Sequence, residues 1–158
     1  MTHRILFVCH GNICRSPMAE FRFKQLVEEA GLSRHFEIAS AATTSEEIGN
    51  PVYPPARREL ASHGIACDGK TARRITHADY DYYDLVIGMD EENRYDLMRL
   101  THGDPQGKIS LLLDHTDAAD RRYHQRDVAD PWYTRNFAAT WDDIDHGCRA
   151  LLQELTGD

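Results

Sequence analysis

The chain has 158 residues, 41% of them hydrophobic and 28% charged, enough for one ordinary core, which excludes collagen-like, disordered and disulfide-stapled miniprotein classes. Eighteen Lys and Arg against 26 Asp and Glu leave a formal charge of -8, so a general nucleic-acid binder is excluded and any anion site must be local. The longest apolar run, Ile5 to Cys9, falls far short of the roughly 20 residues that span a bilayer and leads into polar residues without a cleavage pattern. The expectation is a single soluble, cytoplasmic domain over residues 1–158, with no membrane and no nucleic-acid partner.

Ile5-Leu6-Phe7-Val8-Cys9 is apolar at every position, the pattern of a central strand buried on both faces. Behind a short loop, Ser16 is placed as a helix cap and Pro17 in a first turn, and Ala19, Phe23, Leu26, Val27 and Ala30 recur on one face up to Gly31. Phe36 to Ser40 reads as a second strand, Thr43 to Pro55 as a long loop, and Ala56 to His63 as a short helix stopped by Gly64. Leu85 to Met89 is a third buried strand. Asp90 caps the following helix, which runs through Asn93, Leu97 and Met98 to about Leu100; past Gly103 and Pro105, Ile109 to Leu113 forms the last strand. Asp117 to Asp127 reads as a solvated segment leading to Asp130-Pro131. From Asn136 onward, Phe137, Trp141, Ile144, Cys148, Leu151, Leu152 and Leu155 mark one face of a long terminal helix. Strands alternating with helices predict an α/β protein whose parallel sheet is covered on both faces, with the active site at the carboxyl ends of the strands.

The loop after the first strand reads Cys9-His10-Gly11-Asn12-Ile13-Cys14-Arg15-Ser16-Pro17. It sets a thiol at the end of a buried strand and a guanidinium just before a helix N-terminus, where unpaired N–H groups and the helix dipole attract anions. Gly11 and Asn12 tolerate the left-handed backbone that curls those donors inward, and Arg15 can hold two oxygens at once. The same positive field favours the thiolate of Cys9, so the nucleophile needs no separate base.

In these residues the sequence resembles the low-molecular-weight protein tyrosine phosphatase family over nearly its whole length. The loop fits the signature Val-Cys-x-Gly-Asn-x-Cys-Arg-Ser-Pro, Ser40 to Pro51 resembles the family's second loop, and Met89-Asp90-x-x-Asn93 and Asp130-Pro131-Trp132-Tyr133 fit its later motifs. The resemblance implies a four-stranded parallel sheet of flavodoxin-like order 2-1-3-4 and cofactor-free hydrolysis of phosphotyrosine in proteins or peptides. It implies that Cys9 attacks phosphorus, Arg15 and the amides of residues 10–16 hold the equatorial oxygens, and Asp130 protonates the leaving phenolate before activating water. An arsenate reductase on the same fold and a weakly catalytic phosphopeptide-binding module are the alternatives.

Asn12 and Ser16 are expected to brace the loop, with Lys70 standing where many relatives carry a His in the supporting segment. Cys14 is implied as a redox-resolving thiol for Cys9. Cys67 and Cys148 read as structural, and the nine histidines lack paired ligand spacing, so no metal site is expected. Trp132 and Tyr133 are candidates for one aromatic wall of the substrate pocket. On the opposite rim Glu46 stands where many relatives place an aromatic residue, and Tyr53 replaces an acidic one.

Overall fold

In the computed structural model, which describes residues 2–157, β1 (His3–Cys9) lies in the middle of the sheet because both of its faces are apolar. Ile5, Leu6, Phe7 and Val8 are all 0% exposed, each stabilising the fold by about 1.5–3 kcal/mol relative to exposure. β2 (Phe36–Ala42), β3 (Leu85–Gly88) and β4 (Ile109–Leu111) complete an all-parallel sheet of order β2-β1-β3-β4. Registers of Cys9 with Ala42 and of Val8 with Gly88 bring the carboxyl ends of three strands level.

The side-chain alternation of β1 divides the core. Ile5, Phe7 and Cys9 join the cluster under α1 (Arg15–Glu29) and α6 (Phe137–Thr156), whereas Leu6 and Val8 face Tyr80, Tyr83 and Leu97 on the other side. α6 is the long terminal helix expected from Asn136, whose side chain caps it by accepting from the Ala139 amide at 3.0 Å. Gly147 lets α6 lie close to the turn that follows the last strand, since a Cβ there would overlap the Leu112 side chain. None of the described helices is long and apolar enough to cross a membrane.

Several boundaries differ from those expected. The last strand stops at Leu111, and Leu112–His115 forms a 3-10 turn in which Asp114 accepts from the Leu111 amide while Leu112 and Leu113 are buried. α2 (Pro54–Ser62) begins earlier, with proline in its first turn. α3 (His77–Tyr82) is unforeseen, being set by the Thr76–Asp79 capping box rather than by apolar spacing. α4 (Glu91–Leu100) matches its expected span and cap. The segment 117–127 is more than a solvated run: Tyr123 is buried and bonded to Asp142, and Arg126 holds the buried carboxylate of Asp143 with two nitrogens. Asp130 caps a single further turn, α5 (Pro131–Thr134).

Candidate active site

β1 delivers Cys9 to the carboxyl edge of the sheet with 3% exposure. The chain then curls back through Asn12, whose φ of 60° is the left-handed conformation anticipated there. Gly11 serves differently from expectation: its φ is not positive, and what it supplies is clearance, because a Cβ would sit 3.3 Å from Cγ of Glu47.

Ser16 does not cap α1. The N-cap position is Cys14, without a side-chain cap bond, and Ser16 lies inside the first turn with its Oγ 3.0 Å from Cys9 Sγ. Asn12 Nδ2 donates to that Oγ at 2.8 Å, which leaves the serine proton free for the sulfur. Asn12 Nδ2 also donates to Ser40 Oγ at 2.9 Å, and Asn12 Oδ1 accepts from the Arg73 amide. Ser40 in turn donates to the buried carboxylate of Glu20, and Lys70 donates to the Ser40 carbonyl at 3.0 Å and lies 3.6 Å from Glu20. Burial pushes the Lys70 ammonium down in pKa, and Glu20 opposes that shift. The lysine thus braces the Asn12–Ser16 pair from behind, as a donor to Ser40 and as a positive charge beside Glu20.

Arg15 has only 4% of its side chain exposed. It donates to Asp90 Oδ2 at 2.6 Å and to Asp130 Oδ2 at 3.3 Å. Burial alone would lower its pKa, but the charges of Cys9, Asp90 and Asp130 raise it above the ordinary value. Asp90 has a second function, its other oxygen capping α4 by accepting from the Asn93 amide at 2.8 Å. Asn93 Oδ1 returns the contact to the Met89 and Asp90 amides, while its Nδ2 is buried without a partner.

These groups line a cavity of about 370 Å³ together with Glu46, Glu47, Glu92, Trp132 and Tyr133. Trp132 is half exposed and packs on Tyr53 at 5.2 Å between ring centroids, whereas Tyr133 is 83% exposed. His10 bridges the opposite rim, with Nε2 2.9 Å from Glu46 and Nδ1 3.8 Å from Glu92. Among the described residues, no group of three His, Cys, Asp or Glu side chains is placed to hold a metal ion. A buried sulfur beside a bidentate guanidinium, faced by a carboxylate, is an arrangement suited to phosphoryl transfer.

Comparison with known proteins agrees with this geometry. The family model described as low molecular weight phosphotyrosine protein phosphatase matches residues 4–158. The chain belongs to that family. The low molecular weight protein-tyrosine-phosphatase YfkJ of Bacillus subtilis is 38% identical over 96% of this chain and 94% of its own. Its crystal structure superposes with a TM-score of 0.93, covering 99% and 96% of the two chains. The human low molecular weight phosphotyrosine protein phosphatase is 36% identical over 97% and 96%. A Drosophila arginine phosphatase shares the fold at 28% identity and a TM-score of 0.86, covering 98% of each chain.

Within this phosphatase fold, Cys9, His10, Gly11, Ile13, Cys14, Arg15, Glu46, Asp130, Trp132 and Tyr133 all meet at one cavity, with Asn12 and Ser16 just behind it. Five residues at or behind the site were not singled out for it from the sequence: Asp90, Glu92, Asn93, Ser40 and Glu20. Asp90 and Asn93 had been seen only as helix cap and motif positions, because nothing local signals an Arg15 partner 75 residues away.

Proposed function

We propose that the chain hydrolyses phosphotyrosine in proteins or peptides, and small aryl phosphates, through a cysteinyl-phosphate intermediate. The observation that carries this reading is the convergence of Cys9, Arg15 and Asp130 on one cavity beside Trp132 and Tyr133. Cys9 Sγ attacks phosphorus as Asp130 gives its proton to the departing phenolate oxygen. In the second step Asp130 takes a proton from water, which displaces the sulfur and releases inorganic phosphate. Ser16 donates to that departing sulfur from 3.0 Å. Arg15 and the amides of residues 10–16 hold the three oxygens over which charge spreads, so the chemistry needs only side chains and backbone.

Cys14 is the resolving thiol in this reading. It shares the loop with Cys9, and its thiol intercepts a Cys9 sulfenic acid before further oxidation. Four free cysteines suit a reducing, cytoplasmic setting. Trp132 and Tyr133 form the aryl wall, and Glu46 sets the charge of the facing rim. Asp130 favours hydrolysis over arsenate reduction or simple phosphopeptide binding, neither of which needs a leaving-group acid.

The test compares native protein with Cys9→Ser on p-nitrophenyl phosphate, a phosphotyrosine peptide and phosphoarginine, alongside thioredoxin-dependent arsenate reduction. Turnover of the first two that disappears in Cys9→Ser is the expected result. Near-normal turnover by that variant, or faster reaction with phosphoarginine or arsenate, overturns it.

A further inference from the structure

A second cavity, of about 360 Å³, opens beside the first and plays no part in the chemistry above. Its walls are Thr43 and Thr44 after β2, Arg74 and Ile75 before α3, and Asp96, Leu97, Arg99 and Leu100 on α4. Both cavities are therefore built on the same two elements. The loop after β2 gives Glu46 and Glu47 to the first and Thr43 and Thr44 to the second, while α4 gives Glu92 and Asn93 to the first and Asp96, Leu97, Arg99 and Leu100 to the second.

The two cavities differ in sign. The mouth of the first carries Glu46, Glu47 and Glu92, with His10 the only basic side chain besides Arg15. The second carries two guanidinium groups against one carboxylate, Asp96. Neighbouring arginines are tied down, Arg73 to Asp79 and Arg94 to Asp114 and Glu91. Arg74 and Arg99 make no ion pair among the described residues; Arg99 instead lies over the exposed Tyr95 ring, 5.7 Å from its centroid, which aligns it along the helix face. On a chain of formal charge -8, two unneutralised arginines around one concavity form a local anion trap.

We propose that this cavity is a substrate subsite for an anionic side chain, carboxylate or phosphate, carried by the peptide about three residues from the phosphotyrosine. The inference rests on the phosphatase reading. Its spacing comes from α4: Glu92 at the first cavity and Arg99 at the second are two helical turns apart, about 10 Å, which an extended peptide covers in about three residues. The acidic mouth repels negative charge next to the phosphotyrosine, and the arginine pair attracts it farther along. The specificity is thus a charge pattern, with cationic or neutral neighbours close in and an anion at a distance.

The experiment measures kcat/KM on phosphotyrosine peptides in which one Gln is replaced by Glu, or by phosphoserine, at each position from one to six residues on either side. A gain of about two- to fivefold per arginine is expected for Glu at three or four residues on one side, carried by KM and suppressed by salt. Phosphoserine at the same position gains more than Glu if phosphate is the preferred group, and no more than Glu if carboxylate suffices. Arg74→Ala with Arg99→Ala abolishes the gain without changing p-nitrophenyl phosphate kinetics, and Asp96→Asn enlarges it. A flat positional profile, or a gain that survives the double arginine variant, overturns the subsite. Failure of the phosphatase reading shows separately, as absent p-nitrophenyl phosphate turnover. Calorimetry with Cys9→Ser protein then still reveals the positional preference or its absence.

Discussion

Replacing Asp90 with asparagine isolates the charge that holds Arg15. The carboxylate meets the guanidinium at 2.6 Å with both groups largely buried, and removing one member of such a pair costs up to about 3–5 kcal/mol. The cost here is smaller, because Asp130 remains at 3.3 Å, while the one amide oxygen of asparagine stays with the Asn93 amide it caps. We expect about 2 kcal/mol of lost transition-state stabilisation, close to a 30-fold fall in kcat. The freed guanidinium turns toward Asp130 and draws the acid from the leaving oxygen, so phenyl phosphate loses more than p-nitrophenyl phosphate. Asparagine caps helices as well as aspartate does, so the stability of α4 is kept. Asp90→Ala removes the cap as well, worth about 1 kcal/mol, and should melt roughly 2–4 °C lower than Asp90→Asn. Steady-state kinetics on both esters with thermal melts of both variants separate the two functions. A kcat for Asp90→Asn within about threefold of native would refute the clamp.

Asp130→Asn should slow phenyl phosphate far more than p-nitrophenyl phosphate, since only the more basic phenolate depends on a donated proton; equal losses in a leaving-group series remove Asp130 as acid. Burial, and then the neighbouring Cys9 charge, pushes the Cys14 thiol up to about 12. Iodoacetamide near pH 7.5 should therefore label Cys9 ahead of Cys14, read by peptide mass spectrometry, with comparable labelling contradicting the assignment. After mild peroxide treatment, dithiothreitol should restore native activity more completely than that of Cys14→Ser, and equal recovery returns Cys14 to packing. Glu46→Trp should lower KM for aryl phosphates by the equivalent of about 0.5–1.5 kcal/mol with kcat unchanged, and high salt should help native protein more than Glu46→Gln on acidic peptides. Unchanged kinetics in both variants place the substrate wall elsewhere in the loop from Thr43 to Pro55.

What could be read without coordinates follows the range of each signal. β1, the loop from Cys9 to Ser16 and α6 announce themselves because burial, turn chemistry and helical spacing are written in adjacent residues. Of the two jobs the sequence offers Ser16, capping α1 and bracing the loop with Asn12, the structure keeps only the second, because the closed loop commits its hydroxyl to Asn12 and Cys9. The end of β4 was hidden inside an unbroken apolar run, where Leu112 and Leu113 are buried whether in strand or in turn. α3 has a legible start in Thr76 and Asp79 but no apolar stripe to support it. Asp90 is legible only as a cap and a motif position, since one of its oxygens acts within its own turn and the other across the molecule. Nothing in the sequence pairs Arg74 with Arg99, because their only relation is a shared wall.

Arg15 is held by carboxylates 75 and 115 residues further along the chain. During synthesis the nucleophile and its loop are made early, yet the guanidinium has neither anchor until Asp90 emerges and lacks the second until Asp130 does. A chain ending before Asp90 carries the whole signature loop without the two carboxylates that orient Arg15.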